Sequence, residues 1–414
     1  DALTTGSYNH AFGYNSLSAE TGANRSTALG YFALALQNKG SGDSNNVAIG
    51  HGAAQSLTSG IASTIIGSAA GSAITTGSYN TAIGYSALTT EDAHGYNTAL
   101  GAYALQTLDA GADAYNVAVG YYAGKAVTTG IRNTLIGSIA GDALTTGERN
   151  TAIGYGALST EDAHGYNTAV GHNALTTLNA GDNGYNTAVG VEAGSAMTTG
   201  RFNTIMGSLA GDALTTGSFN IAIGYGALTT EDSYGKAVAI GYNALATQNA
   251  SADTFNVAIG MEAGKFITTG IHNTIVGGLA GDALTTGSGN IAIGYEALST
   301  EDEHGTNVAI GKRALKTLNA GADAYNIAIG FDAGTAMTTG IRNVLIGGLT
   351  GDALTTGESN VALGYNALGS NLTGSNNIAL GTDALEFNTR SGGNIAIGNR
   401  ALEDVNPAND GNWY

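Results

Sequence analysis

Hydrophobic and small residues recur along this chain at one short interval. Aligned on the glycine of the motif Asn-x-Ala-[Ile/Val/Leu]-Gly, the sequence gives 23 anchors, from Gly13 through Gly84, Gly154, Gly224, Gly294 and Gly364 to Gly398. The interval is mostly 17 residues, with 19 in four cases and 20 in one, and the order 17, 17, 17, 19 recurs as a 70-residue unit from Gly50 to Gly330. A period this short excludes helix-pair repeats. The β-branched and aliphatic run closed by glycine in each copy predicts one coil of a β-solenoid. The expected fold is all-β, a parallel solenoid of about 23 coils with 17–19 residues per coil. Residues 1–402 form the repetitive rod, and residues 403–414 a non-repeat tail, cap or joint to a further module. At about 4.8 Å per coil, 22 steps predict a rod roughly 105 Å long.

The positions before each anchor define the strand. Three before it stands Thr, Val or Ile everywhere except His10, and one before it a bulky apolar residue, from Phe12 to Ile397. These two share a face. Two before it stands Ala in 18 coils, replaced by Ile65, Leu135, Ile205, Ile275 and Leu345 at 70-residue spacing. Both faces are apolar, which predicts burial on both sides. One face fills the coil interior and the other needs a partner. The expectation is close packing of identical rods, with Ala permitting near approach and the five larger residues keying axial register.

Four before the anchor stands Asn in 20 of 23 coils, including Asn80, Asn97, Asn116, Asn133, Asn150 and Asn167. Stacked amides at one corner predict a hydrogen-bonded ladder that fixes register. Three after the anchor Ala is nearly constant, and four after it the chain takes one of two forms. The Leu form reads Ala157-Leu158-Ser159-Thr160; the Gly form reads Ala140-Gly141-Asp142-Ala143-Leu144-Thr145-Thr146 and closes with Gly147 in a tight turn where positive φ is expected. A second strand is expected to follow in each coil.

Composition narrows the classes. Only 11% of residues are charged, yet 32 acidic against 14 basic residues give a net charge of −18, which disfavours nucleic acid and anionic membrane surfaces. Such charge keeps neighbouring rods soluble. No cysteine is present, so thiolate metal sites, thiol nucleophiles and disulfides are excluded. No run approaches the roughly 20 apolar residues of a membrane span, and no basic-then-apolar leader opens the chain.

Candidate chemistry is sparse. Acidic loops recur as Glu91-Asp92-x-His94, Glu161-Asp162-x-His164, Glu231-Asp232-x-Tyr234 and Glu301-Asp302-x-His304. Two carboxylates and an imidazole are ligands for a divalent cation, but loops four coils, roughly 19 Å, apart cannot pool them. The favoured reading is a solvated, charge-repelling edge, with no metal and no cofactor. Paired acids also suit glycoside hydrolysis, yet an active site needs one departure from the repeat and none is visible, so no catalytic residue is assigned. The stretches from Gly120 to Lys125 and Gly260 to Lys265 lack the spacing of a phosphate loop. A Thr column from Thr76 to Thr356 invites ice binding as a lesser alternative, although adjacent threonines on a strand point to opposite faces. Tyr85, Tyr155, Tyr225 and Tyr295, each following an anchor, suit stacking on sugar rings or, preferably, packing over glycine at coil corners.

The run Asn-[Thr/Val]-Ala-[Ile/Val]-Gly-x-x-Ala-Leu, as at residues 80–88 and 167–175, resembles the head repeats of YadA-like trimeric autotransporter adhesins, and similar repeats occur in phage tail fibres. The resemblance spans residues 9–402 and implies a left-handed parallel β-roll in which three chains pack side by side. Adhesin head repeats are usually shorter, and no heptad stalk or membrane anchor is seen here. The expected function is a non-enzymatic, extracellular structural protein: a homotrimeric shaft of a phage tail fibre or surface appendage, on a virion or cell, that supports attachment to a host. The alternative is an adhesin head that itself binds a cell-surface glycan or receptor.

Overall fold

The structure is a computed structural model that describes residues 3–231 and 233–403. Asp232 of the third acidic loop, and the tail from 404 with Pro407 and Trp413, lie outside the described residues. The chain is an all-β parallel solenoid of about 23 coils, and it divides into two compact units, Asp1–Asn203 and Thr204–Tyr414. The first carries strands β1 (His10–Phe12) to β11 (Thr187–Val189), and the second β12 (Thr204–Met206) to β23 (Ile395–Ile397).

Every strand is the three residues directly before an anchor glycine. Within each unit successive strands pair in parallel and in strict register; Thr81, Ala82 and Ile83 sit opposite Thr98, Ala99 and Leu100. The anchor glycine ends the strand because nothing else fits. Gly84 holds φ +141, and a Cβ there would lie 2.4 Å from the carbonyl oxygen of Gly101.

Among the described residues each coil has one strand, not two. The remainder turns through left-handed corners that are mostly not glycine. Tyr79, Tyr96 and Tyr115 hold φ 60, 62 and 53, and Ser86 and Leu88 hold φ 52 and 51. L residues avoid this region at a cost near 1 kcal/mol each. It persists because many corner N–H groups find a carbonyl one coil away: Tyr96 donates to Ser78 and Leu88 to Ala104. The expected positive φ at Gly147 is not found. That glycine is required by crowding instead, since a Cβ would meet the His164 carbonyl at 2.4 Å and Leu144 at 2.7 Å.

The core corrects the assignment of faces. From the second coil onward the Ala column, with Ile65, Leu135, Ile205, Ile275 and Leu345, is fully buried inside the coil alongside Ala87, Leu88, Leu105 and Leu144. The Thr/Val/Ile and bulky column lies outside and is half-buried or exposed. Volume explains this. A coil of 17 residues encloses a thin interior that mostly admits Ala at the strand centre. The five larger residues occupy space left by glycine at the left-handed corner. A Cβ on Gly124 or Gly141 would lie 2.6 or 2.8 Å from Leu135, and one on Gly351 would lie 3.1 Å from Leu345. They are therefore internal fillers and not keys between rods.

Candidate functional site

The acidic loops start from a core position. Seven residues after the anchor the chain turns inward, and that residue is Leu, Ile, Val or Met in the Gly form, as at Leu144. In the Leu form it is Leu108, Leu178 or Leu318, or else a polar side chain: Glu20, Gln37, Glu91, Glu161, Glu231, Gln248, Glu301, Asn371 or Asn388. All of these polar residues are fully buried. The expectation of a wholly solvated edge is thus corrected, because Glu91, Glu161 and Glu301 point into the solenoid.

The buried carboxylates cap backbone that the corner leaves unpaired. Glu161 Oε1 accepts the His164 N–H at 3.2 Å and Oε2 accepts the Ala180 N–H of the next coil at 3.1 Å. Glu301 repeats this with His304 and Ala320, each at 3.3 Å. Glu231 takes the Tyr234 N–H and the Gln248 amide, both at 3.2 Å. Glu20 is held by Gly22 and Ala23 N–H and by Gln37. Burial raises the pKa of Glu91 and Glu301, with the neighbouring N–H groups pulling only partly the other way. At Glu20 burial acts in the same direction, but hydrogen bonds from Ala23, Gln37, Gly22 and Lys39 outweigh it and the pKa falls.

Beside Glu91, Glu161 and Glu301 stand an exposed or half-buried aspartate and a half-buried histidine. Ligand atoms of Glu91, Asp92 and His94 lie within 4.8 Å of one another, as do those of Glu161, Asp162 and His164 and of Glu301, Asp302 and His304. His164 Nδ1 is 3.3 Å from Glu161 Oε1, while the equivalent distance is 3.7 Å at His94 and His304. Tyr234 takes the histidine's place in the Glu231 loop.

The stacked asparagines are expected to bond amide to amide, but from Asn80 to Asn167 each side-chain oxygen accepts from backbone. Asn80 Oδ1 accepts the N–H of Asn97 at 3.0 Å, Asn97 serves Asn116 at 3.2 Å, and Asn116 and Asn133 continue through Asn150 to Asn167. The amide nitrogens donate to corner carbonyls such as Gly130 and Gly147. Direct amide-to-amide bonds join this pattern elsewhere, as from Asn360 to Asn343 at 3.0 Å.

Tyr85, Tyr155, Tyr225 and Tyr295 are each about half exposed. Tyr155 stacks on His172 and Tyr225 on Tyr242, with ring centroids 5.5 and 5.6 Å apart, while Tyr85 meets Tyr103 edge-on. Tyr295 leans over Gly278, where a Cβ would lie 3.7 Å from its ring. A stacked ring offers solvent an edge and a hydroxyl rather than that face. A second aromatic column stands five before the anchor: Tyr79, Tyr96 and Tyr115 stack at 5.0 Å steps. Several threonine hydroxyls of the column bond to backbone: Thr107 donates to Lys125 and Val127 carbonyls, and Thr177 to those of Ser195 and Met197. They lie outside the strands.

The buried polar column was legible as an offset, since Glu91 holds the place of Leu108 and Leu144, but its loop-like composition masked it. No protein-family model matches the chain, nor does any curated protein sequence. Among the described residues no helix is long and apolar enough to cross a membrane.

Proposed function

We propose that this chain is a non-enzymatic structural and adhesive protein, a homotrimeric segment of a phage tail fibre or surface appendage outside the cell that supports attachment to a host or surface. The observation that carries the reading is the outward strand face. After the first coil, with its His10 and Phe12, every coil along each unit presents one Thr, Val or Ile and one bulky aliphatic residue at fixed register, with Leu100, Ile259 and Leu363 38–49% exposed. Monomeric proteins rarely leave an apolar strip of this kind open. Its period is that of the strand ladder, about 4.8 Å. A second copy of the chain has ridges at the same spacing and meshes coil by coil, and closed symmetry lets three copies cover one another.

The resemblance to YadA-like heads and tail-fibre repeats supports three copies in particular. Repetition itself favours a spacer: each coil contacts only its neighbours, so length can be added without altering any contact. Thr107 and Thr177 are exposed but spend their hydroxyls on carbonyls of the next coil, which weighs against an ice-binding face.

Sedimentation of the purified chain tests the reading, with a stable trimer expected. Replacing Leu100, Ile259 and Leu363 together by Lys should yield monomers that keep the β circular-dichroism spectrum. A native chain that sediments as a monomer at micromolar concentration would overturn it.

A further inference from the structure

We propose that the corner formed by Glu91, Asp92 and His94 is a divalent-cation site for a borderline transition ion of the zinc class. Two independent observations converge. The first is the cluster itself, three ligand atoms from three residues within 4.8 Å. The second is a fully buried carboxylate with a bond missing. Glu91 has no exposed side-chain surface, and its Oε2 has no hydrogen-bond partner.

Comparison of the corners sharpens this. In its counterparts the same oxygen is capped, by Ala180 at Glu161 and by Ala320 at Glu301. At Glu91 the one bond of full hydrogen-bond geometry runs from the His94 N–H to Oε1, at 3.1 Å; the Ala110 N–H acts on the carboxylate from nearby but leaves Oε2 without such a bond. His94 Nδ1, on the inner side of the ring, is buried and likewise unpartnered, 3.7 Å from Glu91 Oε1. A buried carboxylate with one oxygen left unbonded is costly, and a cation is a partner that removes the cost.

The donor set selects the ion. Two carboxylates and one imidazole suit zinc and its neighbours, with water completing a four-coordinate site. Calcium takes six to eight oxygens and finds too few here. His94 binds through a deprotonated Nδ1, and Asp92 at the surface gives the ion a path in from solvent. The loop with Tyr234 has no imidazole and falls outside this class.

Zinc titrated calorimetrically into the full chain, with cobalt as a spectroscopic probe, tests the assignment. Histidines elsewhere can take up ions, so the readout is the difference made by His94→Asn. That ring is about 30% exposed and makes no hydrogen bond, so the fold should survive, as circular dichroism would verify. Asp92→Asn, at an exposed position, is the second variant. The expected result is one fewer zinc equivalent per chain in each variant, with loss of one nitrogen-ligated cobalt absorption component. No zinc uptake by the native chain, or unchanged stoichiometry in either variant, would overturn the proposal.

Discussion

At the residue scale the most consequential finding is that one offset carries both the core and the acidic character of the chain. Glu20 and Glu301 occupy equivalent buried positions yet their pKa values move in opposite directions. Glu301 is raised, so the folded state holds its proton more tightly than the unfolded chain. Its favourable contribution is therefore present below the ordinary glutamate value of 4.5 and is lost as pH rises through the folded value. Glu20 is lowered, so its contribution is present above 4.5 and is lost as pH falls through the folded value. Glutamine is already tolerated at this offset in Gln37 and Gln248. Glu301→Gln should gain melting temperature relative to the native chain between pH 4 and 7, and Glu20→Gln should lose it over the same range. Thermal melts at a series of pH values measure both slopes; equal slopes would contradict the assignment.

At the element scale the coil is a volume problem with two solutions. In one, Leu at the left-handed corner fills the interior over an Ala strand. In the other, at Ile65, Leu135, Ile205, Ile275 and Leu345, the corner is Gly and the large strand-centre residue fills it from the sheet side. Where a Gly corner follows an Ala strand, as at Gly124 and Gly334, Leu135 or Leu345 of the next coil reaches in. Leu345 and Gly351 form a clean pair, since the three atoms nearest to a Cβ on Gly351 all belong to Leu345. Leu345→Ala alone should cost about 2–4 kcal/mol for the cavity. Gly351→Ala alone should also destabilise, by overpacking. In the Leu345→Ala background the added methyl enters vacated space, so the double variant should be more stable than the sum of single losses implies. A urea double-mutant cycle reads that coupling, and strict additivity would show that the two positions do not share the space.

At the scale of the whole molecule the 70-residue cycle, rather than the single coil, is the interchangeable part. Deleting residues 225–294, one full cycle inside the second unit, joins Gly224 to Tyr295 and keeps every alternation of Gly and Leu coils. Deleting only residues 208–224 sets Leu228 where Gly211 stood, beneath Ile205. The larger deletion should therefore unfold at higher denaturant than the smaller, although more coils are lost. Guanidinium titration decides it.

The sequence by itself determined the coil, its length, the strand position, the asparagine corner and the cycle, because each rests on spacing, and spacing passes unchanged into a stack in which every coil repeats its neighbour. It exposed the alternation of Leu144 with Glu91 at one offset but not its meaning, since a carboxylate between Thr90 and Asp92 has the composition of a surface loop. Only the tertiary structure decided which apolar face is inside. Two apolar faces are equivalent to a one-dimensional pattern. They differ once the chain closes on itself, where a thin interior accepts Ala82 and excludes Ile83. The same closure turned Glu91 inward, because the corner N–H of His94 needs an acceptor that no backbone carbonyl supplies.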